Sequence, residues 1–299
     1  MRTQFAVALI LFSVLISLPV LAQASSSSAP SCSATTINMN SADQGNVSPG
    51  GVNSSDAVAG SFYDLVTLTL HGFTWSNGTG NLYDYPGASQ TALGGINDAG
   101  NSVGTYSNAQ GQSFGFFLAP DGSTKSFSIP GAYSTSASGI NNVNDVVGSY
   151  QAAPTAPSLG FLKRGNKFYT LQFPGAVDTY PVGLNDLGAV VGWYYDGNTE
   201  HGFLEYNNSY AKIEPAGASS SSANGINNAG EIVGEYRPNV NADGEGFSYR
   251  SGKFTSYVYP SATYTGFRAV NRLGDRVGDT ITGFVNGFLW GPAFLLKCQ

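Results

Sequence analysis

Residues 183 to 192 read Gly183-Leu184-Asn185-Asp186-Leu187-Gly188-Ala189-Val190-Val191-Gly192, and this stretch decides the fold because the chain repeats it. The opening Gly-(Ile/Val/Leu)-Asn recurs at Gly51-Val52-Asn53, Gly95-Ile96-Asn97, Gly139-Ile140-Asn141 and Gly225-Ile226-Asn227, with a degraded copy at Ala269-Val270-Asn271. Successive asparagines stand 44, 44, 44, 42 and 44 residues apart. Seven residues after each comes a glycine, namely Gly60, Gly104, Gly148, Gly192, Gly234 and Gly278. Self-similarity at a period of this size marks a solenoid, a propeller or an array.

Other landmarks fill the period. Gly-Phe occurs at Gly72-Phe73, Gly115-Phe116, Gly160-Phe161, Gly202-Phe203, Gly246-Phe247 and Gly287-Phe288. A proline closes an apolar alternation at Pro86, Pro130, Pro174, Pro215 and Pro260, continuing as Pro-Gly-Ala in the first three. Ile96-Asn97-Asp98-Ala99-Gly100 reads as a strand entering a tight hairpin, since Asn and Asp bond their own backbone and Gly supplies positive φ. Ser102-Val103-Gly104-Thr105-Tyr106 is the return strand, Gly-Phe opens a third, and the run before each proline is a fourth, ended because proline donates no ladder hydrogen bond. Four strands in about 44 residues make one propeller blade, so the expected fold is an all-β, six-bladed propeller. Strands apolar on both faces, such as Val190-Val191 and Ile232-Val233, suit blades sandwiched between neighbours.

Five proline-ended strands lie between six Gly-Phe pairs, so the sixth blade must borrow a strand from a chain end. Thr35-Thr36-Ile37-Asn38-Met39 and Phe294-Leu295-Leu296-Lys297-Cys298 are the two candidates. The only cysteines, Cys32 and Cys298, sit at these segments, and an even count in an exported chain favours a disulfide that locks the ring.

Export is expected from the start of the chain. Arg2, the apolar run Phe5 to Leu21 and Ala22-Gln23-Ala24 make a signal peptide over residues 1–24, in preference to a retained anchor. Residues 25–34 form a Ser-rich linker and 35–299 the propeller, a secreted or periplasmic monomer with no membrane span after cleavage. Only 11% of residues are charged and the net charge is −6. After Arg2 the next basic residue is Lys125, so nucleic acid is excluded as a partner for want of clustered Lys and Arg.

The pattern Gly-Ile-Asn-x-x-Gly-x-x-Val-Gly, then His201-Gly202-Phe203-Leu204, with Pro-Gly-Ala, resembles the bacterial extracellular repeats of the HAF family over about residues 51–290. The resemblance implies an extracellular repeat protein and no particular activity. Phe114, Leu159, Glu245 and Asn286 stand where the family pattern has His before Gly-Phe.

The H-E-x-x-H zinc motif and the P-loop are absent, which argues against an enzyme. His71 and His201 occupy one repeat position three copies apart, and Asp196, Asn198 and Glu200 are weak calcium candidates in a stretch that also reads as an ordinary turn. Two residues after the invariant glycines stand Phe62, Tyr106, Tyr150, Tyr194 and Tyr236, with Thr280 in the last copy and Trp193 beside one of the tyrosines. Ring symmetry makes these either a circle of platforms for an extracellular polysaccharide or protein, or packing between blades. The leading expectation is therefore a secreted binding module without a cofactor. A structural or adhesive envelope protein and an axial-site hydrolase or lyase stand behind it.

Overall fold

The computed structural model describes residues 32–39, 45–285 and 288–298. The expected signal peptide, most of the Ser-rich stretch and Asn286 lie outside them. Among the described residues the strands form six four-stranded antiparallel blades and one short hairpin, a six-bladed propeller. The third blade is representative: an inner strand Ser134–Ile140, then Val146–Gln151, Leu159–Arg164 and an outer strand Lys167–Leu171.

Each inner strand ends at the repeated asparagine. The Oδ1 of Asn141 accepts the backbone N–H of Val143 at 3.2 Å and of Asp145 at 2.8 Å, which winds the hairpin. The third residue after the asparagine has positive φ in every copy. It is glycine at 100, 188, 230 and 274, while Asp56 and Asn144, types that tolerate the left-handed region, fill the other two. The Nδ2 of Asn141 then donates to the carbonyl of Asn185 in the next blade. The same bond joins Asn53 to Asn97, Asn97 to Asn141, Asn185 to Asn227, Asn227 to Asn271 and Asn271 back to Asn53, at 3.0–3.2 Å. Six buried asparagines thus form a closed hydrogen-bonded circle round the axis.

The other landmarks are cross-strand neighbours. Gly148 stands opposite Phe161, and a Cβ on Gly148 would lie 1.9 Å from the Ser136 carbonyl and 2.9 Å from the Phe161 ring. The bare glycine lets the ring lie flat across its strand, and Phe73, Phe116, Phe161, Phe203 and Phe247 are all 0% exposed. Each such ring stabilises the fold by roughly 2–3 kcal/mol on burial. Between blades, Pro130-Gly131 forms a turn closed by Ala132 N–H to the Ile129 carbonyl. The buried hydroxyl of Thr135 accepts the Ile129 N–H and pins that turn to the next inner strand.

The sixth blade corrects one expectation. Gly287 lies outside the described residues, and Phe288, expected to open the third strand, belongs instead to Phe288–Trp290, which pairs with Gly283–Val285 in the short hairpin. The third strand is Ala293–Cys298, whose Phe294 stands opposite Gly278 with 0% exposure. The position requires a phenylalanine ring on a bare glycine, and the glycine before that phenylalanine is dispensable. The outer strand is the N-terminal Cys32–Ile37, paired throughout with Ala293–Cys298, so both chain ends enter one blade. This strand begins within the stretch read as linker. Cys32 and Cys298 are register partners and form the disulfide.

Two stability outcomes follow. Asn141→Ala deletes one bond of the circle and two hairpin bonds and strands a buried carbonyl, so urea unfolding should show a loss of about 3 kcal/mol. A loss below about 1 kcal/mol would mean that the circle is incidental. Reducing Cys32–Cys298, which closes a 266-residue separation, should cost about 2–5 kcal/mol in the same assay.

Candidate functional site

The axis itself is closed. Val52, Ile140, Leu184, Ile226 and Val270 are buried in a collar between two small axial cavities of about 80 and 70 Å³. Each has room for a few waters at about 30 Å³ apiece and none for a sugar ring. At the mouth on the asparagine side a second circle runs through the residues following the asparagines. Asp98 Oδ1 accepts the N–H and hydroxyl of Ser54, Asp186 takes three bonds from Asn142 and Asn228, and Arg272 Nε reaches Ser54 and Asp98. Burial would raise the Asp186 carboxyl, but the bonds from Asn228 and Asn142 hold it below its ordinary value. These acids are consumed in joining blades.

The aromatic register lies between blades. Phe62 is 1% and Tyr194 8% exposed. Tyr194 stacks on Phe173 of the preceding connection at 3.7 Å, and Tyr106 stacks on Tyr85 in the same way at 3.8 Å. Tyr150 and Tyr236 are half-buried, and their hydroxyls meet Thr170 and Ser256 on the fourth strands of their own blades. Trp193 faces the other way and stacks on Tyr180 at 4.1 Å. The structure therefore gathers no circle of open platforms from these residues.

Each histidine has an acid thirteen residues later that the sequence did not flag. His71 Nδ1 meets Asp84 at 2.8 Å, and His201 Nδ1 meets Glu214 at 2.6 Å while its Nε2 meets Asp196 at 3.2 Å. Asp196 spends Oδ1 on the N–H groups of Asn198 and Thr199, which with His201 hold its carboxyl down at about 2. Burial acts to raise the Glu214 carboxyl, and Lys212 and His201 overcome it to leave it lowered. Asp196 turns toward His201 while Asn198 and Glu200 line a cleft, so the three calcium candidates do not converge.

That cleft holds about 480 Å³ and is walled by Tyr195, Asn198, Thr199 and Glu200 of blade four, Ser220 to Ser222 and Glu235 to Arg237 of blade five, and Tyr264 of blade six. Because strands alternate in direction, these residues lie at the end of the blades away from the asparagine circle. The fourth blade opens it. Eleven residues separate Gly192 from Phe203, against thirteen from Gly148 to Phe161, so the turn between second and third strands is cut to a tight Asp196–Thr199 loop. Of the residues singled out by sequence, Tyr236, Asn198 and Glu200 reach the cleft. Tyr195, Ser220, Glu235, Arg237 and Tyr264 had no motif to mark them; Glu235, Arg237 and Tyr264 differ from every counterpart in the other repeats, whereas Tyr195 and Ser220 recur as Tyr63 and Ser134 and carry no such signal.

No protein-family model matches the chain, and no curated protein matches it. Among solved structures it is similar to a protein described as a candidate gluconolactonase, with TM-score 0.51 and 13% identity over 89% of this chain and 92% of that one. It is also similar to an acylaminoacyl peptidase, with TM-score 0.51 and 9% identity over 85% of this chain and 44% of that one. The lectin of Aleuria aurantia aligns with TM-score 0.49 and 12% identity over 83% of this chain and 94% of that one. At these identities the likeness is one of fold, and it defines the chain as a β-propeller module.

The charged cluster around His201 makes stability pH-dependent in acid. Asp196 and Glu214 titrate lower in the folded chain than their unfolded values of about 3.9 and 4.3, so their contribution is present above those values and lost as pH falls through the folded ones. Thermal midpoints should fall between about pH 4 and pH 2. In His201→Gln the acid limb should be shallower. Identical limbs would show that the cluster contributes nothing.

Proposed function

We propose that the protein is a secreted glycan-binding module that holds one or two sugar rings in the cleft between blades four and five. The observation that carries this reading is the wall of the cleft, where Tyr195, Tyr236 and Tyr264 surround serine, threonine, asparagine and carboxylate groups in about 480 Å³. Sugars present flat apolar faces edged by hydroxyls, and tyrosine with short polar side chains answers both. The volume lies within the usual range of small-molecule sites, about 300–1,000 Å³. Secretion is supported by the Cys32–Cys298 disulfide, since such bonds form and persist in oxidising compartments, and by the signal-like start of the chain. The HAF-type repeat supports the same location and is silent on the ligand.

Pull-down of residues 25–299 on bacterial and plant polysaccharides tests the reading. At least one should retain the protein, with chelator as well as without. Tyr195→Ala should weaken retention about tenfold through the lost stacking face, and Tyr106→Ala, packed between blades one and two, should leave it unchanged. Retention by none, or loss in both variants alike, would move weight to a protein partner or an adhesive envelope role.

A further inference from the structure

A repeat protein reveals special positions where copies stop agreeing. The residue after the invariant glycine is Ser61, Thr105 and Ser149 in the first three blades, but Glu235 and Asp279 in the last two. Three residues before the ring asparagine stand Gly50 and Gly94 in the first two blades, whereas the sixth has Arg268. These exceptions meet beneath the cleft. Arg268 donates from Nη1 to Glu235 Oε1 at 3.0 Å and from Nε and Nη2 to Asp279 at 3.0 and 3.2 Å. Its Nη2 also donates to the Tyr264 hydroxyl at 2.8 Å, and that hydroxyl donates to Glu235 Oε2. Tyr264 and Glu235 both line the cleft, as does Glu200.

A hydroxyl bonded to a carboxylate that is itself oriented by a third group is the arrangement of an activated nucleophile. We propose that Tyr264 and Glu235 form a nucleophile and base pair that cleaves a glycosidic bond of the sugar held in the cleft, making the module a retaining glycoside hydrolase. The proposal rests on the glycan reading above. In the first step Tyr264 Oη bonds to the anomeric carbon and its proton passes to Glu235 Oε2. The bond from that carbon to the leaving oxygen breaks, and this oxygen takes a proton from Glu200 in its protonated form. In the second step Glu200 takes a proton from water, the water oxygen bonds to the anomeric carbon, and the bond to Tyr264 breaks. The phenolate recovers its proton from Glu235, so the sum is glycoside plus water giving sugar plus alcohol.

The surroundings favour these roles. Arg268 donates to the oxygen on which charge grows as the tyrosine proton leaves. Burial raises the Glu235 carboxyl, and the nearby Asp279 charge pushes the same way against the pull of Arg268, which strengthens it as a base.

The test uses the mature chain with 2,4-dinitrophenyl 2-deoxy-2-fluoro-glycosides of glucose, galactose, mannose and xylose, whose leaving group needs no acid and whose glycosyl-enzyme hydrolyses slowly. The expected result is a stoichiometric burst of dinitrophenolate and one glycosyl adduct on the peptide containing Tyr264. Tyr264→Phe should abolish the adduct, and Glu235→Gln should slow the burst by about a hundredfold or more, with folding of both checked by circular dichroism. No burst with any glycoside, or an adduct elsewhere, in a protein that still binds polysaccharide would overturn the proposal and leave the binding reading standing. Absence of both adduct and binding would overturn both.

Discussion

The asparagine circle is the constraint on which the rest of the molecule depends. A propeller must bring inner strands from every blade within reach of one axis, where backbone groups are cut off from water and need partners. Asparagine supplies them with one side chain: Oδ1 closes its own hairpin through two N–H groups, and Nδ2 reaches the carbonyl of the next blade. Aspartate has no donor for the second task, and glutamine carries an additional methylene that would displace the first. The bond from Asn271 to Asn53, 218 residues apart, means that the first and sixth blades complete their part of the circle only when the ring closes.

Packing outward follows from that geometry. The inner strands crowd at the axis, so a Cβ on Gly51 would lie 2.7 Å from the Ile96 nitrogen, and glycine precedes the apolar collar residue in five copies. Further out, the invariant glycine of the second strand accepts the phenylalanine of the third. The ring is then fastened where it is weakest, at the junction of the chain ends, by an outer N-terminal strand and the disulfide at its first residue.

Most of this architecture was legible because it repeats. Asn, Gly and Pro each have one physical reason to recur at fixed spacing, so the blades and the four strands of each repeat could be counted. The sixth third strand was misplaced at Gly287-Phe288 because the pattern was read as two residues when only Phe294, opposite Gly278, is required. The direction of the aromatics was open for another reason. Adjacent positions on a strand point to opposite faces, so Trp193 and Tyr194 part company, yet in a propeller both faces meet another blade. The histidine partners Asp84 and Glu214 lie on the far side of a hairpin, and no local motif links residues thirteen apart across one.

The cleft was the least legible feature, for a reason built into repeat proteins. Symmetry supplies six equivalent gaps between blades, and packing fills them by default with the residue two places after the invariant glycine, an aromatic in five of the six copies. A site arises only where symmetry fails. Here the failures coincide in one sector: a shortened second turn in blade four, Arg237 and Glu235 in blade five, Tyr264 and Arg268 in blade six. Buried charge is costly unless paired, so an arginine could stand at position 268, where the other blades carry Gly50, Gly94, Ser138, Val182 and Asn224, only once Glu235 and Asp279 stood ready to receive its donors. A scaffold does not need that network, since the first blades close with Ser61, Thr105 and glycine at the corresponding positions. The cost of burying charges in this one sector is therefore compensated by something other than stability, and the cleft above them is where that function is to be sought.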